Sequence, residues 1–431
     1  MLKLNDFPSK VTALAAFLLA ALAIWVPSGY SYAAVLLLLG ALCFAPRWLR
    51  QPPESATLKL ALLFAGMGCM WFLLSLDHGA ARWDKGSKWL LGIPCLFFIV
   101  AYPPPPKAFM AGVPLGCIGM GALAVWQTTG QGLERATGFT NAIQWGNLAL
   151  LLACMAGVCV AVFWRLRAWT WRLLMCAAVV AGIAASLLSQ SRGGWLALLL
   201  VFPVLLLQVR QIRPQWFGRL LLLSLALVAV VVAVLAFTPS FNERIALAVT
   251  EIQSYLSTRN GNTSIGNRLD QYRLVAQMIP EKPWLGWGAH GFVQEMEQRV
   301  ARGEFAPMLV HYPQIHNDFL DVWVKVGLWG VALQAVLFAY VLSLFWPSQQ
   351  RLQRWPEDSW HWHEALALRA MGSLVPVCYL VFGMSQPFFN HNSGIMFFVF
   401  YVAVLWAALR GLERGARTPS GQSDKPEVVP A

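Results

Sequence analysis

Three side chains in this sequence can do chemistry beside a membrane: Arg192, Arg268 and His316. Arg192 lies in Ser189-Gln-Ser-Arg-Gly-Gly194, a link so short between two apolar runs that it keeps the guanidinium close to hydrocarbon. A charge at that depth is costly unless it snorkels to headgroups, pairs, or meets an anionic ligand. Gly193 and Gly194 let another group approach the backbone, and helix amides there add an anion-favouring dipole. Arg268 falls in the first turn of a helix expected over 267–279, where a planar guanidinium can grip a phosphate through two parallel bonds. The plainer alternatives are a snorkelling interfacial arginine at 192 and an exposed Arg268 paired with Asp270 or another carboxylate.

His316 stands in Gln314-Ile-His-Asn-Asp-Phe-Leu320, where polar sequence gives way to an apolar run and Asn317 and Asp318 look like a helix cap. The dipole of that helix disfavours imidazolium and suits a neutral general base, while the Asp318 charge pulls the other way. A purely structural interfacial histidine is the plainer alternative. An anion grip and a base on one membrane face call for a substrate with its phosphate at the bilayer surface. A polyprenyl diphosphate carrying a sugar fits that description. Arginines would stabilise the departing diphosphate, and the imidazole would deprotonate a hydroxyl attacking the anomeric carbon from the opposite side, which inverts configuration.

The elements that must position these groups follow from composition. The chain has 431 residues, 58% of them hydrophobic and 12% charged, with a mean hydropathy of +0.56. Soluble domains carry roughly a quarter charged residues, so an all-α polytopic membrane protein is expected. Crossing about 30 Å of hydrocarbon takes roughly 20 mostly apolar residues, and unalternating apolarity excludes a barrel. About twelve transmembrane helices are expected, at 11–26, 32–45, 58–76, 89–102, 108–128, 147–164, 169–188, 193–208, 220–237, 319–345, 365–384 and 393–409. The first follows Lys3 and Lys10 without a small-residue cleavage site, so it is expected to remain as a helix and not to be cleaved as a signal.

The formal charge of +12 sits in short loops, which marks membrane orientation and not nucleic-acid binding. Lys and Arg fall in alternate connections: Lys3/Lys10, Arg47/Arg50, Lys107, Arg165/Arg167/Arg172, Arg210/Arg213/Arg219, Arg351/Arg354 and Arg410/Arg414/Arg417. The positive-inside rule then puts both termini in the cytoplasm and the 189–192 turn and the long polar insert outside. The loop 77–88 breaks the pattern, carrying Arg82, Lys85 and Lys88 on the outer side.

The expected organisation is transmembrane helices 1–9 over 1–237, a helical periplasmic insert over 238–318, helices 10–12 over 319–410, and a disordered cytoplasmic tail over 411–431. Within the insert, a helix from Ser240 to about 256, a loop over 257–266, the helix 267–279, a glycine-rich turn over 284–291 and a third helix to about 302 are expected. The eight cysteines lie in or beside apolar runs, with neither disulfide nor metal spacing. His361 and His363 read as interfacial, His290 and His311 as surface residues, and His391 as a minor site candidate.

Several short motifs occur in order: Arg135-Ala-Thr-Gly-Phe-Thr-Asn141; Ser189-Gln-Ser-Arg-Gly-Gly-Trp-Leu-Ala197; Gly266-Asn-Arg-Leu-Asp-Gln-Tyr272; Pro283-Trp-Leu-Gly-Trp-Gly288; and His316-Asn-Asp-Phe-Leu320 followed by Gly327-Leu-Trp-Gly330. On these the chain resembles the O-antigen ligase and polymerase superfamily of bacterial inner membranes, which includes O-linked oligosaccharyltransferases. The resemblance implies glycan transfer from undecaprenyl diphosphate at the periplasmic face, with no nucleotide sugar, metal or other cofactor. It implies His316 as the base, Arg192 and Arg268 as diphosphate ligands, and Arg82 and Arg135 as further anion contacts. The span count, the single late insert and the short C-terminal tail look like the ligases that join O-antigen to lipid A-core. A polymerase or a protein oligosaccharyltransferase with the same donor stays open. So does an anionic-lipid transporter or flippase, although span interiors hold few ionisable residues, with Asp321, Lys325 and Arg369 near the ends.

Overall fold

The structure, a computed structural model, describes residues 7–76, 83–236 and 239–416, with backbone alone at Arg192, 227–236, 239–242, 244 and 245. Every regular element among them is helical. The N-terminal half comprises α1 (Phe7–Leu22), α2 (Gly29–Cys43), the one-turn α3 (Ala45–Trp48), α4 (Ser55–Ser75), α5 (Asp84–Ala101), and α6 (Pro106–Val125), which runs into a π turn at Trp126–Gly130. It continues with α7 (Ala142–Phe163), α8 (Trp169–Leu188), the one-turn α9 (Arg192–Trp195), α10 (Leu198–Ile212) and α11 (Pro214–Ala236). The insert holds α12 (Pro239–Thr258), α13 (Ser264–Glu281) and α14 (Ala289–Ala301). After it come α15 (Asp318–Val326), α16 (Leu328–Phe345), the one-turn α17 (Gln349–Leu352), α18 (Trp360–Gly383) and α19 (Asn392–Gly415).

Eight helices among the described residues are long and apolar enough to cross a membrane, and α1 and α2 are shorter apolar helices. A helix satisfies its own backbone in hydrocarbon, so continuous apolar sequence becomes a bundle of spans. The protein is a polytopic membrane protein. Helices α18 and α19 are almost wholly enclosed at its centre, whereas α10 lies at the edge with much of its surface outward. Around α18 and α19 pack α5, α7, α16 and α2, and α6 and α8 close the bundle against α1 and α7.

The connections rich in arginine collect at the end away from the insert. There Glu413 pairs with Arg369, Arg410 and Arg354, Glu54 takes Arg410 at 2.6 Å and Arg414 at 3.1 Å, and Arg213 meets Asp358 at 2.5 Å. Arg167 stacks over Trp360 at 4.4 Å, which completes a belt of aromatic rings and guanidinium groups.

The expected span 319–345 is not continuous. It breaks at Gly327, which has φ of 95°, so that α15 stands apart from the span α16. The reason is the glycine-rich turn of the insert. Trp287 N donates to Val324 O at 2.8 Å, Gly288 N to Lys325 O at 2.9 Å, and Leu328 N to Pro283 O at 2.9 Å. A methyl group on Gly327 would stand 2.0 Å from Trp284 O, and one on Gly286, at φ of 66°, would stand 2.4 Å from Lys325 C. The two glycine motifs therefore meet backbone to backbone, which only a residue without Cβ allows at positive φ.

The insert helices differ from expectation at their ends. Helix α12 runs from Pro239, with Ser240 inside it. Helix α13 starts at Ser264, capped by Thr263 accepting from Gly266 N, and runs through Pro280 to Glu281. A second apolar core forms here from Leu274, Val275, Met278, Phe292, Met296, Leu309, Ile315 and Val324, separate from the core of the bundle.

Candidate active site

His316 is carried on a link pinned at both sides. From α13, Gln271 Oε1 accepts from His316 N at 2.9 Å, and its Nε2 donates to Gln314 O at 3.3 Å. From α15, Asp321 Oδ1 accepts from Ile315 N at 2.9 Å. Asn317 caps α15 by accepting from Phe319 N and Leu320 N, both at 3.1 Å. The cap expected from the sequence therefore forms, but on a nine-residue helix that precedes the span. The imidazole is half-buried, and its Nδ1 is buried without a hydrogen-bond partner among the described residues.

Arg268 lies on α13 one turn from Gln271 and Tyr272, the residues that reach the His316 link. It is half-buried and close enough to His316 for its charge to act on the imidazole. The surface pair with Asp270 does not form: Asp270 is buried, accepting from Tyr255 Oη at 2.7 Å and from Ala306 N at 3.3 Å.

The opposite wall comes from the turn between α18 and α19 and from two earlier links. Gln386, 7% exposed, places its Nε2 2.8 Å from His391 Nε2, and its amide lies against the His316 ring. Asn141 Nδ2 stands 3.4 Å from His391 Nδ1. The Ser189–Arg192 turn packs beside them, since a methyl group on Gly193 would stand 2.4 Å from Ser385 Oγ. Arg135 reaches the same turn, its Nε donating to Ser189 O at 3.0 Å, and Ala136 N donates to Leu188 O at 2.9 Å. Lys85 at the start of α5 donates to Asn390 Oδ1 at 2.5 Å, and Lys88 to Asn392 Oδ1 at 2.7 Å.

Burial pushes the His316 pKa down, the Arg268 charge pushes the same way, and Gln386 and Asp321 oppose them. His391 is pushed down to about 4 by burial, with Lys85 and His316 adding to it. Both rings are thus neutral near pH 7. Asp318, fully enclosed beside Gln334, is pushed up to about 7 by burial and by the Asp321 charge, against Gln334, Phe389 and Lys85. Asp321 is held at both oxygens: Oδ1 takes Lys325 Nζ at 2.6 Å, and Oδ2 takes Asn390 Nδ2 at 3.0 Å. Among the described residues no three His, Cys, Asp or Glu side chains converge as metal ligands do.

Of the residues singled out in the sequence, His316 and Arg268 come together, and Arg135 joins the turn that carries Arg192. Arg82 and the side chain of Arg192 lie outside the described residues. Gln386, Asn390 and Lys85 were not anticipated. For Lys85 a signal existed, because the loop 77–88 breaks the alternation of basic connections. Gln386 had none, since only the fold brings it beside His316.

Residues 177–335 match the family model described as O-antigen ligase, a stretch that runs from α8 through the insert into α16 and includes Arg192, Arg268 and His316. An uncharacterized protein of Haemophilus influenzae is 27% identical over 378 residues, covering 86% of this chain and 92% of that protein.

Proposed function

The match over residues 177–335 supports membership of the O-antigen ligase superfamily, and on that premise we propose a membrane glycosyltransferase that moves O-antigen glycan from undecaprenyl diphosphate to a sugar hydroxyl of lipid A-core. The observation that carries this reading is His316, held neutral and half-buried beside Arg268 where the insert meets the bundle. A lipid-linked diphosphate keeps its chain in the bilayer and presents its charge at that level. Arg268 and Arg192 grip it, with Arg135 and Arg82 as further contacts. His316 takes the proton of the acceptor hydroxyl as its oxygen attacks the anomeric carbon. The bond from that carbon to the diphosphate oxygen breaks, the diphosphate leaves with the electron pair, and the arginines neutralise it. One displacement inverts the anomeric configuration. Guanidinium groups serve here in place of a metal ion, and no cofactor is needed.

In this reading the site faces the periplasm from the inner membrane, with both termini cytoplasmic, because the arginine-rich connections lie at the end away from the insert. The test is transfer by the purified protein from lipid-linked glycan to lipid A-core. His316→Ala is expected to lower kcat by about 10²–10⁴-fold, and full activity in that variant would remove the base. A polymerase would use the same groups with a lipid-linked glycan as acceptor. Loss of a ligase strands polymerised glycan on its carrier lipid, whereas loss of a polymerase leaves single repeats attached to core.

A further inference from the structure

Trp284 and Leu285, in the glycine-rich turn of the insert, are 68% and 78% exposed, and neither belongs to the core of the bundle or to that of the insert. Packing among the described residues therefore does not account for two large apolar side chains held outward side by side. Their height relative to the bilayer is fixed by the backbone. Leu328 N donates to Pro283 O at 2.9 Å, and Trp323 Nε1 donates to the same oxygen at 3.1 Å. A methyl group on Gly327 would stand 2.0 Å from Trp284 O and 2.6 Å from Leu285 N, so the peptide between Trp284 and Leu285 lies directly on the residue that precedes the span α16. Helix α16 has 18 residues, which at about 1.5 Å each make about 27 Å, against about 30 Å of hydrocarbon. A span with no residue to spare puts its first residue, Leu328, at the hydrocarbon boundary, and the turn stands at the same level. Trp329, exposed on the first turn of α16, belongs to that level too, where tryptophan rings gather in membrane proteins.

We propose that Trp284 and Leu285 are a membrane anchor, entering the interface of the leaflet on the insert's side and burying their apolar surface among lipid glycerol and acyl groups. The occupant is the bilayer that surrounds α16, because the turn is joined backbone to backbone to the start of that span. The same turn grips α15, through Trp287 N on Val324 O and Gly288 N on Lys325 O. Lipid contact at 284 and 285 therefore fixes how deep α15 and the His316 link sit. The inference needs only that α16 spans the membrane, and it stands whatever reaction the site performs.

The experiment places photoreactive p-benzoylphenylalanine at position 285 of the full-length protein, in vesicles of phosphatidylethanolamine and phosphatidylglycerol, and reads the adducts by mass spectrometry. Leu285 belongs to neither core, so the replacement is expected to leave the fold intact. Leu199, exposed on the span α10, serves as the lipid-facing reference, and Glu297, an exposed charge on α14, as the aqueous one. Phospholipid adducts at 285 are expected to match those at 199 and to exceed those at 297 several-fold. No lipid adduct at 285 where 199 forms one, adducts to a second copy of the chain instead, or equal lipid adducts at 285 and 297 would each overturn the anchor. A second arm follows amide hydrogen exchange in the same vesicles. In Trp284→Ser/Leu285→Ser, exchange across α15 is expected to quicken several-fold while the enclosed centre of α18 stays protected. Unchanged exchange in α15 would overturn the hold of the membrane on that helix, and neither arm depends on glycan transfer.

Discussion

Asp321 on α15 and Asn390 in the turn before α19 are joined at 3.0 Å, and Asn390 in turn accepts from Lys85 at 2.5 Å. The same carboxylate holds Lys325 at 2.6 Å and the backbone of Ile315 at 2.9 Å, so a single side chain ties the His316 link to the bundle. Asp321→Ala leaves the Lys325 ammonium, 8% exposed, without its counter-ion. The expected cost is about 3–5 kcal/mol, read from thermal or denaturant unfolding in detergent. The double variant Asp321→Ala/Lys325→Met is expected to lose less than the sum of the single variants, and strict additivity would show that the pair is not coupled.

The enclosed Asp318 carboxyl titrates near 7 in the folded protein, above its ordinary 3.8. A raised value means the folded state holds the proton more tightly, so this contribution to stability is present below about pH 4 and is lost as pH rises through 7. Asp318→Asn resembles the protonated acid at every pH. It is expected to raise Tm by a few degrees at pH 8 and to flatten the decline between pH 4 and 7. An unchanged pH dependence would show that Asp318 is ionised in place.

His391 gives the opposite slope. Its value is depressed to about 4 from 6.5, so stability present above 6.5 is lost as pH falls towards 4. His391→Gln is expected to lessen the loss of Tm on acidification, measured between pH 7 and 4.

Gly327 cannot take a side chain. Its φ of 95° belongs to glycine, and a Cβ would stand 2.0 Å from Trp284 O. Gly327→Ala is expected to cost more than about 3 kcal/mol, seen as lost folded yield and lowered Tm. Gly291→Ala meets nothing within 4 Å and is expected to change stability by less than about 1 kcal/mol.

The Arg268 charge holds the His316 pKa down. Arg268→Ala is expected to move the acid limb of glycan transfer to higher pH and to raise the donor KM by about tenfold or more. Arg268→Lys keeps the charge without the fork, so the acid limb is expected to stay while the donor KM rises. Wild-type behaviour of Arg268→Lys would mean that only charge matters.

The spans were legible because a run of apolar residues has one outcome in a bilayer, and eight helices among the described residues are long and apolar enough to cross one. The break at Gly327 was not, since it depends on a turn some forty residues earlier that closes on it: Trp323 Nε1 donates to Pro283 O across 40 positions. His316 and Arg268 were legible as types that bind anions and move protons. Their nearness required Gln271, which clasps the His316 link across 45 positions and looks in sequence like any polar helix residue. Lys85 was visible only as a charge on the unexpected side of the membrane. Gln386 was invisible, because an amide acquires meaning from its neighbours, and His316 lies on a distant link before α15.

Helix α15 belongs to two cores at once. Val322 and Val326 are buried with the bundle, whereas Val324 is buried with the insert. Any sliding of one body past the other must therefore shear this short helix, and the imidazole sits two residues before its first turn. A ligand that wedges the insert away from the bundle would displace the base without touching it, so compounds aimed at that seam are candidates for switching off transfer from a distance.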